Sequence, residues 1–255
     1  ADLLMGQSEM VWSDNLEHIS PGLDLVPGSP ELYALDLQAI QDGVSAPERI
    51  RDFVACAAEN QETDFFILDC PPGFTLSSVG ALMAADEVVI PMVLDGFSFE
   101  GVYDMHRQIQ NLQRANIKVR IAGVLITRRT KSDATAQAES LIRASGIPVF
   151  RQVIRRSPKV TESTFDRRAT VQYSPGSAAS QDYRKWVFGW AVSLIFPRLQ
   201  VRLHRCPIRT QLDVSRSSTS TWTCWMRTRL IFTVSRVLRS LRQILSCAGC
   251  SSLSG

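Results

Sequence analysis

Asp64-Phe65-Phe66-Ile67-Leu68-Asp69-Cys70-Pro71-Pro72-Gly73-Phe74 is the stretch whose reading decides the fold. Four apolar residues, Phe65 to Leu68, run into an acid and then into two prolines and a glycine. This pattern reads as a strand buried on both faces with a turn at its carboxyl end. In an open parallel sheet, ligands bind outside the carboxyl ends of the strands, so the carboxylate of Asp69 stands where it can hold a metal ion over a phosphate. The same residue type at the same place also serves simply to cap the next turn or helix. The local sequence leaves both readings open.

Outward from this strand the apolar spacing alternates between helix and strand. Upstream, Leu23 to Pro27 reads as a short strand and Glu31 to about Gln41 as a helix with Leu32, Leu35 and Ile40 at helical spacing. Ser45-Ala46-Pro47-Glu48 has the chemistry of a helix start, and Ile50, Phe53, Val54 and Ala57 form one apolar face down to Asn60. Downstream, Ser77 to Ala85 reads as a helix, Glu87 to Val93 as a strand, and Asp95-Gly96-Phe97-Ser98 as a turn and cap. A long helix then runs from Phe99 to about Asn116, with Val102, Met105, Ile109 and Leu112 facing inward. Val119 to Thr127 is a near-continuous apolar strand, Ser132-Asp133 opens a helix to Ser145 that Gly146 ends, and Pro148 to Ile154 is the last strand. Pro175-Gly176-Ser177 starts a helix to about Trp186. Such alternation predicts an α/β fold, a doubly wound, mostly parallel sheet flanked by helices with right-handed crossovers. His106 lies on the long helix with no second histidine or thiol at metal-ligand spacing, and reads as a surface histidine.

Asp69-Cys70-Pro71-Pro72, the run Ala81-Leu82-Met83-Ala84-Ala85-Asp86-Glu87-Val88-Val89-Ile90-Pro91, and Gly123-Val124-Leu125-Ile126-Thr127 together resemble the ParA family of partition ATPases. This is the deviant Walker branch of the P-loop NTPases that includes MinD. The order and spacing of the segments match too, and the similarity continues through Ile154 to Ser163 and Tyr173 to Ser177, covering about residues 1–186. The resemblance implies ATP and Mg²⁺ as cofactors, with Asp69 as the catalytic acid that holds the metal, through a water. It implies that Thr127 and Arg128 lie beside the adenine. Where relatives show Ile-Pro-Arg and pack the base near the proline, this chain has Arg155. Arg156 and Lys159 are then candidates for DNA phosphate contacts, or else are solvated surface charge. The implied partners are a second copy in a homodimer, DNA bound without sequence preference, and a ParB-like protein that stimulates hydrolysis, in a cytoplasmic, nucleoid-associated setting. Two other readings stay open. One is a MinD-like positioning ATPase at the membrane surface, although Asp-Cys-Pro-Pro is nearer to ParA than to the Asp-Ser-Pro-Ala-Gly of MinD. The other is a non-enzymatic interaction module that has lost its phosphate loop.

The phosphate loop is the conspicuous gap. No lysine precedes Lys118, and no Gly-rich loop followed by Lys-Ser/Thr occurs in the 255 residues. With an opening of Ala1-Asp2-Leu3-Leu4 and no initiating methionine, the expectation is a sequence that begins inside a gene, an inactive fragment lacking the first strand and its loop. The strand around Ile67 should then lose a neighbour and expose an edge.

Charge divides the chain. Residues 1–190 carry 18 Lys and Arg against 24 Asp and Glu, a net of −6, whereas residues 191–255 carry ten Arg and only Asp213, a net of +9. From about Val187, Ser, Arg, Thr, Trp and Cys accumulate and apolar spacing stops repeating. The reading is a domain over 1–186 and an irregular basic tail over 187–255, disordered or translated out of frame. Its rival is a basic amphipathic anchor to a membrane surface, because Val237, Leu238, Leu241 and Leu245 alternate with Arg236, Arg239 and Arg242. Cys247 and Cys250 hint at zinc, but Cys206 and Cys224 make no second close pair. No apolar run approaches the roughly 18 residues of a membrane span.

Overall fold

The computed structural model describes residues 16–29, 32, 37, 48–59, 65–71, 73–114, 117–195 and 231–236. Two strands, β1 (Glu17–Ser20) and β2 (Leu23–Leu25), form an antiparallel hairpin apart from the main sheet. Gly22 makes its turn possible at φ +78°, a backbone state glycine adopts without steric cost. Helix α1 (Glu48–Glu59) follows, then β3 (Phe65–Cys70), α2 (Leu76–Ala84), β4 (Glu87–Val93), α3 (Gly96–Arg114), β5 (Arg120–Thr127) and α4 (Asp133–Ala144). Three further helices, α5 (Pro158–Phe165), α6 (Thr170–Tyr173) and α7 (Ala178–Ile195), precede a last strand, β6 (Ile231–Arg236). The four-stranded sheet has the order β3-β6-β4-β5.

The core sits on β4 and β5, which pair in parallel from Glu87 opposite Arg120 to Val93 opposite Thr127. Successive side chains point to opposite faces of a strand. Val88, Ile90, Met92, Val124 and Ile126 accordingly pack together with Leu82 of α2, Val102, Met105 and Ile109 of α3, and Ile142 of α4. Val89 and Leu125 point the other way, into a cluster with Ile154, Ala179, Phe150, Tyr183, Trp186 and Trp190. There Trp186 and Trp190 stack with ring centroids 5.3 Å apart, and Phe150 meets Trp186 edge-on at 5.6 Å. These are preferred geometries for aromatic pairs. Phe53, Val54 and Ala57 of α1 bury against Phe66, the face that the helical spacing predicts.

Several expectations need correction. β3 is not buried on both faces: Phe66 and Cys70 are buried and Leu68 half-buried, but Phe65 and Ile67 are 41% and 36% exposed. The reason is position, since β3 is the outermost strand of the described sheet and the α7 cluster lies over β4 and β5. Leu23 to Pro27 shortens to β2 and pairs in the hairpin rather than in the main sheet. Pro148 to Ile154 runs beside β5 in parallel without becoming a continuous strand. It makes bridges only at Val124–Val149 and Arg129–Arg155, because Pro148 has no N–H to give and the ladder lapses between Phe150 and Ile154. The expected helix over 31–41 lies outside the described residues apart from 32 and 37. α7 runs through the expected boundary at 186 to Ile195, and the edge expected to lie open at Ile67 is paired with β6. The remainder of the tail, including 237–255, lies outside the described residues.

Candidate functional site at the carboxyl edge of the sheet

A common strand direction of β3, β4 and β5 brings the ends of three segments to one edge. β3 ends on Asp69-Cys70, β4 leads into Asp95, and β5 leads into Arg128, with Arg155 and Arg156 bridged alongside at Arg129. The edge is stepped. Asp69 and Val89 both sit opposite Phe232, whereas Thr127 is opposite Val93, four residues further along. At about 3.3 Å per residue and about 4.8 Å between strands, Thr127 lies roughly 13 Å beyond Asp69 and roughly 14 Å across from it. Only an extended ligand lying along the edge meets both. The turn after β3 is set by Pro71 and by Gly73 at φ +107°. It delivers Thr75 as the cap of α2, its hydroxyl accepting the Ser78 N–H at 3.2 Å. Asp95 caps α3 by accepting the Ser98 N–H at 2.8 Å.

The side chains at this edge are engaged to different degrees. Asp69 is exposed. Thr127 is buried, and its hydroxyl donates to the Met92 carbonyl at 3.2 Å, which ties β5 to β4. Arg128 is exposed with φ +53°, an uncommon state for a residue with a Cβ. Its neighbour Arg129 donates to Glu139 at 2.7 Å, and Arg143 donates to the same carboxylate. Burial pushes the Glu139 carboxyl up, but the bonds from Arg129 and Arg143 outweigh it and hold it below the usual range.

Arg155 is the anchor of α7. Its Nε and Nη2 donate to the two oxygens of Asp182 at 2.7 and 2.8 Å, and its backbone N–H donates to Asp182 at 3.0 Å. Burial raises the Asp182 carboxyl, and the three bonds from Arg155 more than reverse it, leaving the carboxyl below its ordinary value. Lys159 donates to Glu162 at 2.6 Å one turn along α5, and Tyr173 donates to the same carboxylate at 3.1 Å. The Lys159 ammonium is accordingly pushed up by its bond to Glu162. Arg156 is exposed, with its backbone N–H given to the Arg129 carbonyl at 2.9 Å. Sequence reasoning names Arg155 and Lys159 and misses Asp182, Glu139 and Glu162, the acids that hold the arginines and the lysine. Helical spacing of Lys159 with Glu162 and of Glu139 with Arg143 is a local signal that could have found two of them, whereas the Arg155–Asp182 pair closes only in three dimensions.

ATP and Mg²⁺ fit this edge in part. A single exposed carboxylate at a strand end suits Mg²⁺, which keeps several waters and takes one or two protein carboxylates beside phosphate oxygens. Among the described residues there is no cluster of three His, Cys, Asp or Glu side chains that would bind a metal unaided. For the base, the Thr127 hydroxyl proton and the Arg155 fork are already committed, whereas Arg128, directly after β5, is exposed. The phosphates do not fit, because residues 1–255 offer no Gly-rich loop with its lysine.

Comparison with known proteins supports the same placement. A family model described as an AAA domain matches residues 3–121. The chain is 28% identical over 187 residues to the chromosome partitioning protein ParA of Caulobacter vibrioides, covering 72% of this chain and 69% of that protein. It is 27% identical over 175 residues to the chromosome-partitioning ATPase Soj of Thermus thermophilus, covering 68% and 67%. Among solved structures, a cobyrinic acid a,c-diamide synthase from Mycobacterium smegmatis with bound ADP and magnesium superposes with a TM-score of 0.62 at 18% identity. It covers 77% of this chain and 72% of that one. The septum site-determining protein MinD of Pyrococcus horikoshii, complexed with Mg-ADP, gives 0.54 at 19% identity, covering 72% and 70%. At these identities the structures show the fold alone, an α/β fold of strands flanked by helices. The Asp69-Cys70-Pro71 strand end, the 81–91 segment and the 123–127 segment, arranged along one sheet, are where the chain is similar to the ParA-type chromosome-partitioning ATPases.

Proposed function

We propose that this chain supplies the body of a ParA-like partition ATPase, in which an ATP-bound homodimer binds DNA without sequence preference and a ParB-like protein triggers hydrolysis and release, and that residues 1–255 by themselves are inactive. The observation that carries the proposal is Asp69, an exposed carboxylate at the end of β3 beside Pro71, on the edge that also holds the β4 and β5 ends. Bound ATP and Mg²⁺ would supply a γ-phosphoryl group open to attack by water. In that reading Asp69 would hold the magnesium ion at that edge, Arg128 would offer a contact to the base, and Arg156 and Lys159 would serve DNA phosphates. The relatives named for chromosome partitioning support this reading. So do the solved neighbours that carry ADP and magnesium. The setting that follows is cytoplasmic and nucleoid-associated; among the described residues no helix is long and apolar enough to cross a membrane.

Residues 1–255 alone are expected to turn over no ATP, since the phosphates lack their backbone cradle. The test is a chimera in which the amino-terminal strand, loop and helix of the Caulobacter relative precede Ala1. The chimera should bind and hydrolyse ATP. Asp69→Ala in it should cut turnover at least about tenfold while changing nucleotide affinity by less, the signature of an interaction strengthened in the transition state. An unchanged rate removes Asp69 from the mechanism, and turnover by the parent chain that Asp69→Ala abolishes refutes the expected inactivity.

A further inference from the structure

On the face of the sheet that carries α7, a cavity of about 550 Å³ opens between that helix, β5 and the 149–152 segment. This is the size of a small-molecule site. It lies at the amino ends of the strands, since Glu87 is the first residue of β4 and Ala122 the third of β5. At about 3.3 Å per residue it stands roughly 17 Å back along β5 from Thr127 and the candidate site. Its walls are aromatic. Phe150, Trp186 and Trp190 line it, with Trp186 between an edge-on Phe150 and a stacked Trp190. Such walls offer flat apolar surface to a flat ring.

The polar groups around the cavity divide into engaged and unengaged. Glu87 is buried with both oxygens taken, one by Arg120 and the other by the Trp190 indole N–H at 3.0 Å. The Gln152 side-chain amide donates to the Val153 carbonyl at 2.9 Å. Arg151 and Lys185, by contrast, are exposed, and neither makes a hydrogen bond or ion pair among the described residues. Lys185 only adds its field to that of Arg155 at Asp182. The Trp186 indole N–H is closed to solvent and has no acceptor among the described residues, although a buried indole N–H is ordinarily bonded. Gly189 lines the cavity from within α7, where glycine weakens a helix, and a Cβ placed on it would meet nothing within 4 Å.

We propose that this cavity is a binding site for a small aromatic acid, a flat body of one or two rings that carries a carboxylate. The rings lie against Phe150, Trp186 and Trp190, and the carboxylate faces Arg151 and Lys185. A neutral ring would leave both cations unanswered. An aromatic cation would meet two like charges and a carboxylate, Glu87, that is already engaged. Because the Trp186 nitrogen is closed to solvent, an acceptor on the ligand reaches it only as the indole shifts, so tryptophan emission should report occupancy. The site uses no residue of the carboxyl edge, and it stands whether or not the ATPase reading does.

Equilibrium dialysis of the full chain against three probes that share one ring system tests it: 2-naphthoate, 2-naphthylmethanol and 2-naphthylmethylamine. The acid should bind saturably, about five- to tenfold more tightly than the alcohol, the scale of two partly exposed charge contacts, and the amine should bind more weakly still. Lys185→Gln should weaken binding of the acid about threefold and leave that of the alcohol unchanged. Gly189→Leu puts a better helix former into the open space, and should keep the parent's circular dichroism while abolishing binding of all three probes. Equal affinities for the three probes, no saturable binding of the acid by the parent, or undiminished binding by Gly189→Leu overturns the proposal. Should Gly189→Leu lose its helical signal, Lys185→Gln decides alone, and an unchanged preference for the acid overturns the proposal. No nucleotide enters the measurement, so its failure is separate from a failure of the ATPase reading.

Discussion

At the scale of single residues, the candidate site is held by acids that the family resemblance does not single out. Asp182 is 3% exposed at its side chain and takes three hydrogen bonds from Arg155, so it fixes the start of α7 against the segment that borders the site. Asp182→Asn keeps the shape but loses the charge and one acceptor, and should destabilise the fold at pH 7 by about 1–3 kcal/mol, the usual cost of breaking a buried charged hydrogen bond. The pH dependence has a definite sign. The Asp182 carboxyl titrates lower in the folded chain than in the unfolded one, so its contribution is complete above the ordinary carboxyl range and fades as pH falls through the lowered folded value. Parent and variant should therefore converge in chemical-denaturation stability below roughly pH 4. A difference that stays constant to pH 3 would show that packing, not charge, makes the contribution. Beside these groups, at the end of β5, Arg128 holds a positive φ that a residue with a Cβ seldom adopts. Such strain persists where surrounding structure enforces it, often at binding sites.

At the scale of elements, β4, β5, α3 and α4 were legible because local pattern and final burial agree. Apolar runs became the buried strands β4 and β5, and residues at helical spacing, Val102, Met105 and Ile109, became the inner face of α3. The Ser132 capping box and the left-handed Gly146 mark the two ends of α4 where the residue types require them. β3 reads as central from Phe65 to Leu68, yet an apolar run says nothing about which neighbours cover its second face, and that face is exposed. The same limit hid α5 and α6, whose short spans carry less periodicity than their polar neighbours, and β6, whose Ile-Phe-Thr-Val sits in a Ser- and Arg-rich stretch. The 148–156 segment also depends on spacing between elements. A Cβ on Gly123 would lie 3.0 to 3.3 Å from the Phe150 ring, so β5 and this segment approach as closely as they do because position 123 has no side chain. Gly123→Ala should push Phe150 into Trp186 and cost about 1–3 kcal/mol, the range for overpacked cores. Thermal melting should fall, and tryptophan emission should change because Trp186 stacks on Trp190. An unshifted melting point would mean the ring swings aside freely and the close approach is not a constraint.

At the scale of the whole molecule, the acidic body and basic tail set the terms on which any DNA interaction is read. With net charges of −6 over 1–190 and +9 over 191–255, the ten arginines of the tail will bind polyanions whatever else the chain does. Cutting the tail is no remedy, because it would also take β6 out of the sheet. The discriminating quantity is the change in salt dependence between the full chain and its variants, in which the tail's contribution is common and cancels. Removing one cation that neutralises a phosphate flattens the slope of log affinity against log salt by about 0.9 on duplex DNA. Arg156 is exposed and should show this in full on Arg156→Gln. Lys159 already sits 2.6 Å from Glu162, which neutralises much of its field and must be given up before the ammonium can serve a phosphate. Lys159→Gln should therefore flatten the slope by less than Arg156→Gln, and Glu162→Gln should strengthen binding by freeing the lysine. The measurement belongs on the chimera with ATP, titrated with duplexes of unrelated sequence at several salt concentrations. Equal slopes for parent, Arg156→Gln and Lys159→Gln would make both residues solvated surface and move the DNA-binding face elsewhere on the molecule.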